Sequence, residues 1–359
     1  MRTFRVELGP LAHPVHIGSG IIDESGRLIR DAGGTIGGRA VIITDSNVAP
    51  LYAERVKKSL ADASLDPVVL EVPAGEESKS LDTLATVFDR LARARLDRGG
   101  IIVALGGGVT GDLAGFAASA YMRGVPIVQI PTTLTAQVDS ALGGKTGVNL
   151  RAAKNLVGAF HQPRAIIADV TTLKSLGERE YREGLAEIIK YAAIMDAPMI
   201  GDLERDMPAI LLRNADNVES IVERSLHHKA YVVEHDERET GLRRILNFGH
   251  TIGHALETAA GYGIYLHGEA VAIGMAAAAR LSNKFAGFGE AETDRLIELI
   301  ESAGLPVFLP TDWHRDSFIA ALSLDKKRAG NGIEFVLLDR LGHAITYRIG
   351  VDEILSHLL

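Results

Sequence analysis

Three histidines in the second half of the chain combine residue types and a spacing that could bind a metal ion. His250 and His254 stand four residues apart, so a helix would place both imidazoles on one face, one turn apart. His267 follows a Gly-Tyr-Gly break and could fold back to the same point. Because neutral imidazole is the commonest nitrogen ligand of zinc, the cluster indicates a metal site. Histidines that are simply satisfied in the core or at the surface are the alternative.

The sequence excludes one class of metal ligand and argues against one class of metalloenzyme. The spacing resembles the H-E-x-x-H helix of metalloproteases, but Thr251 stands where those enzymes have their general-base glutamate. The sequence therefore argues against a metalloprotease. The chain contains no cysteine, which excludes disulfides and thiolate ligands. Any metal must be held by His, Asp or Glu.

The composition is that of an ordinary globular protein of 359 residues, long enough for two domains. Apolar residues make up 47% of the chain and charged residues 23%. A net charge of -8 argues against nucleic acid as a partner, because phosphate backbones call for a basic face. No apolar run approaches the roughly 18 residues of a membrane span, and the N-terminus lacks the apolar core of a signal peptide. A cytoplasmic location and no membrane partner are expected.

The predicted secondary structure that must position these side chains changes halfway along the chain, from alternating strands and helices to mainly helices. In the first half, β-branched strands at 40–45, 67–72, 100–105 and 126–130 alternate with helical patterns such as 81–94. This alternation predicts a mainly parallel sheet with ligands at the carboxyl ends of its strands. From about residue 178 the pattern is helical, at 180–195, 216–235 and 269–285, with a short hairpin at 333–338 and 344–348. We therefore predict an α/β nucleotide-binding domain over 1–177 and a mostly α-helical metal-binding domain over 178–359.

Two glycine-rich stretches follow predicted strands and could hold phosphate groups. Residues 106–112 contain G-x-G-x-x-G before a helix, where backbone amides and the helix dipole favour a pyrophosphate. The stretch lies on a late strand and lacks the usual acidic residue about 20 positions on, so a plain linking turn is an equal alternative. Asp45, which ends an earlier strand, could instead meet a ribose hydroxyl. Gly143, Gly144 and Lys145 suggest an anion cradle, with a solvated loop as the alternative.

Seven ordered blocks of sequence together resemble the 3-dehydroquinate synthase family of sugar phosphate cyclases. They lie at 105–116, 129–134, 136–140, 143–149, 184–191, 236–243 and 247–254. The resemblance extends through nearly the whole chain. It implies an NAD-binding first domain and a helical second domain that binds zinc, or cobalt in its place. It also implies a homodimer.

The resemblance implies specific site residues. The metal ligands would be Glu187, His250 and His267, with His254 facing the substrate phosphate instead of the metal. The implied NAD-binding residues are Asp45, Glu76, Glu77, Lys79, Gly108, Val109, Thr110, Gly111, Asp112, Thr132, Thr133, Asp139, Lys145, Lys154, Thr172, Leu173, Lys174 and Ser175. The implied substrate-binding residues are Arg123 (across a dimer interface), Lys145, Asn155, Lys229, Arg243, Asn247, His254 and one of Lys326 and Lys327. The implied catalytic residues are Asp139, Lys145, Lys190, Glu239 and His254.

The reaction implied by the resemblance starts from 3-deoxy-D-arabino-heptulosonate 7-phosphate and gives 3-dehydroquinate and phosphate. NAD would oxidise C5 transiently, phosphate would leave by elimination, the hydride would return, and an internal aldol step would close the ring. Lys229 and Arg243 would bind the substrate carboxylate. A cyclase for another sugar phosphate and a metal-dependent polyol dehydrogenase are the alternatives. Glu334 departs from the pattern, because the family often has arginine there.

Overall fold

The structure is a computed structural model that describes residues 1–33, 38–150, 154–261, 263–310, 316–322 and 332–358. The chain divides into two compact units. The first comprises Met1–Leu176 and Val218–Glu234, and the second Gly177–Asn217 and His235–Leu359. The domain limits 1–177 and 178–359 stay a prediction, because the first compact unit also takes a segment from the second half.

The first unit is built on a seven-stranded sheet in the order β1-β2-β9-β6-β5-β3-β4. Only β1 and β2 pair antiparallel; the other neighbours are parallel. A separate hairpin pairs β7 with β8. The strands are β1 (Arg2–Val6), β2 (His13–Gly18), β3 (Arg39–Asp45), β4 (Asp66–Val72), β5 (Ile101–Gly106), β6 (Ile127–Pro131), β7 (Lys145–Val148), β8 (Val157–Phe160) and β9 (Ile166–Asp169). The predicted mainly parallel sheet is confirmed, and β3 to β6 are its four predicted strands.

The sheet is covered on both faces because its strands are apolar at successive positions. Ile42 of β3 and Val103 of β5 belong to one buried cluster, whereas their neighbours Ile43 and Ile102 belong to the other. Side chains alternate between the faces of a strand, so a run that is apolar at every position must be buried on both sides. The covering helices are α1 (Ser25–Asp31) and α2 (Glu54–Asp62) on one face and α3 (Leu81–Arg93) and α4 (Gly108–Ala120) on the other.

The second unit is mainly helical, as the sequence predicts. Its helices include α5 (Glu178–Met195), α6 (Ala197–Leu211), the ends of α7 (Ala215–His235), α8 (His250–Ala260), α9 (His267–Phe285), α10 (Glu290–Ser302) and α11 (Val351–Leu358). The central part of α7 belongs to the first unit. Strands β10 (Ile333–Arg340) and β11 (His343–Ile349) form the predicted antiparallel hairpin. The hairpin packs with α8 and α9 in one buried cluster that includes Leu281 and Phe335.

Three strands of the large sheet were not predicted. Strands β1 and β2 precede the alternating pattern, and β9 has only four residues. β2 pairs with β9 across about 150 residues of chain, with Val15 opposite Ile166. Local periodicity does not report such a distant pairing, so these strands needed the tertiary structure. Among the helices of the described ranges, none is long and apolar enough to cross a membrane.

Candidate functional site

Three helices of the second unit bring one carboxylate and two imidazoles to a common point. Glu187 comes from α5, His250 begins α8, and His267 begins α9. Glu187 Oε1 lies 3.6 Å from His250 Nε2 and 3.7 Å from His267 Nε2. The three ligand atoms all lie within 4.8 Å of one another. These are the three residues for which the family resemblance implied a metal.

The donor set fits a divalent cation. Ligands that stand about 2.1 Å from a tetrahedral zinc ion are about 3.4 Å from each other, which is close to the distances found here. Burial, assisted by the charge of Lys190, lowers the pKa of His250 well below its usual value and keeps the ring neutral. His250 Nδ1 donates to the carbonyl oxygen of Phe248 at 3.2 Å, which leaves Nε2 available to a metal. A glutamate and two histidines leave coordination positions open, as in a catalytic zinc site.

Glu187 is almost completely buried, and its charge is balanced within the protein. Its side chain is 1% exposed, and Lys190, one turn later on α5, forms an ion pair with it and is 2% exposed. Desolvation lowers the pKa of His267, but the nearby carboxylates of Glu187 and Glu257 raise it to about 10. Carboxylates that stabilise a proton on this imidazole would also stabilise a bound cation.

Two glycines of α9 allow the three helices to approach closely enough for this cluster. A Cβ at Gly268 would lie 1.9 Å from the carbonyl oxygen of Glu183 on α5. A Cβ at Gly274 would lie 1.9 Å from the carbonyl oxygen of Gly249, just before α8. Contacts this short are not possible for any other residue. The packing of α9 against α5 and α8 therefore depends on glycine beside the candidate ligands.

The imidazole of His254 belongs to a second group of potential ligands. Its donor atoms lie with those of Glu257 and His267 within 4.8 Å. Helical spacing pairs His254 with His250, and the centroids of the two rings lie 5.3 Å apart. Their nitrogens nevertheless fall into different groups, because His250 points to Glu187. The sequence did not single out Glu257, although it stands three residues after His254 and seven after His250, on the same helical face.

A tight loop before α8 positions several of the predicted substrate residues. Asp236 accepts hydrogen bonds from the backbone amides of Thr240 at 2.8 Å, Gly241 at 2.7 Å and Arg243 at 2.9 Å. These bonds, that of Thr240 first, hold the pKa of Asp236 below its usual range. Within the loop, Glu239 has a φ of 60°, in the left-handed region that a non-glycine residue occupies only when its surroundings enforce it. Sequence reasoning gave Asp236 no role.

The loop, the turn that follows it, α8 and β10 together line a pocket of about 390 Å³. Asn247 Nδ2 donates to Glu239 Oε1 at 3.0 Å in this pocket. Glu334 accepts a hydrogen bond from Arg244 at 3.0 Å, so its unexpected carboxylate forms an ion pair. The lining residues are Glu239, Arg244, Asn247, His250, Thr251, His254, Glu334 and Val336. The structure thus brings the predicted residues Glu239, Asn247, His250 and His254 to one cavity.

In the first unit, the glycine-rich turn lies where a parallel sheet binds nucleotides. It joins the carboxyl end of β5 to the N-terminus of α4, whose amides and dipole suit a phosphate. Thr110 of α4 donates to Asp45 Oδ2 at 3.0 Å, and Asn47 and Val48 donate backbone hydrogen bonds to Asp45 Oδ1. Asp45 and the turn before α4 therefore meet at the carboxyl edge of the sheet, and their role in binding NAD stays a prediction.

A buried ion pair lies beside this turn. Lys79 Nζ bonds both Asp112 Oδ2 and Asn155 Oδ1. Lys79 is 7% exposed and Asp112 22% exposed. Burial raises the pKa of Asp112, against the attraction of Lys79, which lowers it. The structure thereby connects two predicted NAD-binding residues with Asn155, a predicted substrate-binding residue.

Asp139 and Lys229 form a second pair in this unit. Lys229 Nζ donates to Asp139 Oδ1 at 2.7 Å and to its backbone oxygen at 2.6 Å.

Other predicted residues lie elsewhere in the chain. The segment at 170–175 is fixed by Tyr52, whose hydroxyl bonds Ser175 Oγ at 2.7 Å. Arg123 lies exposed in a strained turn, with a φ of 69°. Lys326 and Lys327 lie outside the described residues.

The remaining predicted residues of the first unit are dispersed around the ends of the strands. Thr132 is buried at the end of β6, where its amide bonds the carbonyl of Gly106, and Thr133 caps the next turn. Glu76 accepts a hydrogen bond from Asn149 at 2.7 Å. Other predicted positions differ in exposure: Thr172 and Leu173 are buried, Lys154 is partly buried, and Glu77, Lys145 and Lys174 are exposed.

Comparison with known sequences identifies the family. A family model described as 3-dehydroquinate synthase N-terminal matches residues 69–183, and one described as 3-dehydroquinate synthase C-terminal matches residues 184–328. A 3-dehydroquinate synthase of Azotobacter vinelandii is 48% identical over 345 residues, which are 96% of this chain and 93% of that protein. One of Methylococcus capsulatus is 47% identical over 352 residues, or 98% and 96% of the two chains.

Solved structures with the same fold include other sugar phosphate cyclases. A 2-epi-5-epi-valiolone synthase of Streptomyces hygroscopicus with bound NAD⁺ and Zn²⁺ has a TM-score of 0.87 at 30% identity, covering 96% of this chain and 95% of that one. A 2-deoxy-scyllo-inosose synthase complexed with carbaglucose-6-phosphate, NAD⁺ and Co²⁺ has a TM-score of 0.88 at 27% identity, covering 99% of each chain. A glycerol dehydrogenase of Schizosaccharomyces pombe, at 17% identity and a TM-score of 0.67, shares the fold alone. On the full-length sequence matches, the chain belongs to the 3-dehydroquinate synthase family.

Proposed function

We propose that this chain is a 3-dehydroquinate synthase that converts 3-deoxy-D-arabino-heptulosonate 7-phosphate to 3-dehydroquinate and phosphate. The observation that carries the proposal is the meeting of Glu187, His250 and His267, beside a pocket that also holds Glu239 and His254. Relatives about 48% identical over nearly the whole chain bear this name. The shikimate route to aromatic amino acids is the corresponding pathway.

NAD and a divalent metal, zinc or cobalt, are the cofactors that fit these residues. When bound, NAD would supply a transient hydride acceptor for the C5 carbinol, and the metal would lower the pKa of a substrate hydroxyl. The cyclases with the same fold were solved with NAD⁺ and with Zn²⁺ or Co²⁺. In this chain, Glu187, His250 and His267 would hold the metal. Asp45 and the turn before α4 would hold NAD.

The charged residues of the chain suit the two anionic ends of the substrate. Arg243 is 3% exposed, and its side chain is fixed by a 2.6 Å hydrogen bond from Nη1 to the carbonyl of Glu237. A fixed guanidinium can bind a carboxylate with two parallel hydrogen bonds. Lys229 is held by Asp139 and would strengthen carboxylate binding. His254 would meet the phosphate, and Asn247 would orient Glu239 toward a substrate hydroxyl.

The direct test mixes the purified protein with NAD, zinc or cobalt, and the heptulosonate phosphate. Inorganic phosphate, 3-dehydroquinate and NADH are followed together. Equal amounts of phosphate and dehydroquinate without lasting NADH would support the proposal. Lasting NADH would indicate a polyol dehydrogenase instead, and inactivity of a folded, metal-loaded sample would direct the search to other sugar phosphates.

A variant tests the assignment of the metal ligands. Glu187→Gln removes the buried charge from the cluster, so the protein should lose both its metal and its activity. Glu204→Gln makes the same chemical change on α6, at a side chain that pairs with Arg295 on the surface and should leave both unchanged. Full activity of Glu187→Gln after removal of metal would contradict the assignment.

A homodimer and a cytoplasmic location are further proposals for this chain. Arg123 would then act across the dimer interface on the substrate phosphate. Light scattering combined with size-exclusion chromatography measures the mass of the particle directly. A strictly monomeric and fully active protein would remove both the dimer and the role of Arg123.

A further inference from the structure

The imidazole of His267 lies between two carboxylates. Its Nε2 is 3.7 Å from Glu187 Oε1, and its Nδ1 is 3.6 Å from Glu257 Oε2. Glu257 lies on α8, seven residues after His250, and its side chain is 11% exposed. The two ring nitrogens of His267 therefore face different partners, one in the candidate metal cluster and one outside it.

The chemistry of a metal-bound histidine assigns a role to the outer carboxylate. A neutral imidazole that binds a cation through Nε2 carries its proton on Nδ1, and that N–H needs an acceptor. For His250 the acceptor is the backbone carbonyl of Phe248. For His267 the group facing Nδ1 is the carboxylate of Glu257. Shortening this contact by about 0.8 Å would give a normal charge-assisted hydrogen bond, a shift within reach of a glutamate side chain.

We infer that Glu257 is a positioning residue of the metal centre, which orients the ring of His267 and fixes its proton on Nδ1. The inference rests on the proposed metal ligands. It explains the buried acidic side chain at this point of α8, which the ligand set itself does not use. An acceptor of this kind also increases the basicity of the coordinating nitrogen.

A different ligand set would use the same residues. His254, Glu257 and His267 also bring donor atoms within 4.8 Å of one another and could hold the cation themselves. His267 would then bind through Nδ1, and Glu187 would not be a ligand. The two arrangements differ in their dependence on His254, which the inferred arrangement does not need for metal binding.

The test measures zinc affinity by competition with a chelator, together with the visible spectrum of the cobalt-substituted protein. Glu257→Ala should weaken zinc binding about 10- to 100-fold and change the cobalt spectrum, with one ion still bound per chain. Glu257→Gln keeps an acceptor oxygen and should recover much of this loss. His254→Ala, the matched control, should stay within about threefold of the wild type. Thermal unfolding of the metal-free variants shows whether they fold.

Two results would overturn the inference. Wild-type affinity and an unchanged cobalt spectrum in Glu257→Ala would show that His267 needs no such acceptor. Equal losses in His254→Ala and Glu257→Ala, with Glu187→Gln binding normally, would favour the other ligand set. A wild-type protein that binds no ion would instead refute the proposed metal site itself, so the two failures are distinguishable.

Discussion

Removal of the Lys79 ammonium group should destabilise the protein through the carboxylate it leaves behind. Lys79 is buried beside Asp112 and Asn155, next to the turn proposed to bind NAD. In Lys79→Met the side chain keeps a similar length but no charge, so Asp112 loses its ion-pair partner. An unpaired charge in a buried position costs far more than the pair contributed, because its desolvation is no longer compensated.

The expected cost is about 3 kcal/mol of unfolding free energy. Breaking a buried ion pair typically costs 3–5 kcal/mol, and we take about the lower limit because Asp112 is 22% exposed to water. For a domain of about 150–250 residues this corresponds to a fall in Tm of about 6–12 °C. Lys57→Met is the matched control, because Lys57 pairs with Glu54 at the surface and should change stability by less than about 0.5 kcal/mol.

The pH dependence identifies the carboxylate as the cause. Burial already raises the pKa of Asp112, and loss of Lys79 should raise it further in the folded state. Below the unfolded value, about pH 4, both states are protonated and the variant should lose little stability. As the pH rises toward the folded pKa, the unfolded state releases its proton first, so the deficit of the variant should grow and then level off.

Urea unfolding of the NAD-free protein between about pH 4 and pH 8 measures this deficit. The double variant Lys79→Met/Asp112→Asn should be more stable at neutral pH than Lys79→Met alone, since it contains no unpaired carboxylate. Three results would each exclude the unpaired carboxylate as the cause: a deficit below about 1 kcal/mol, a deficit independent of pH, or a double variant no more stable than the single one.

Three further predictions concern the second unit. Asp236→Asn should lower kcat/KM about tenfold by weakening the hydrogen bonds that hold the loop, and unchanged steady-state kinetics would contradict this. In the wild type, the Asp236 carboxylate should stop stabilising the loop only as the pH falls through its lowered pKa. Gly268→Ala should cost more than about 2 kcal/mol and weaken metal binding, because its Cβ would meet the Glu183 carbonyl at 1.9 Å; an unaltered Tm and cobalt spectrum would exclude this. Glu334→Gln should release Arg244 toward the pocket and lower the inhibition constant of inorganic phosphate about two- to fivefold. An unchanged inhibition constant would contradict this.

The amino-acid sequence predicted those features that repeat locally. Apolar runs such as 40–45 and 100–105 specified buried parallel strands, and the helices at 216–235 and 269–285 followed from their periodicity, within one or two residues of their observed ends. The spacing of His250 and His254 placed both on one helical face. Resemblance of ordered blocks, and not spacing, associated Glu187 with them.

The tertiary structure decided which donor atoms meet. Glu187 and His250 are 63 positions apart, and their 3.6 Å contact depends on how closely α9 packs at Gly268 and Gly274. Helical spacing shows which side chains share a face, but the direction of each imidazole depends on the groups that bond its second nitrogen. Glu257 was overlooked for this reason. Strand β9 was overlooked because it pairs with β2, about 150 residues away, and Asp236 because a loop has no periodic pattern. Local patterns indicate which segments are buried. A site forms where segments that are far apart in sequence meet, and no local pattern specifies which segments those are.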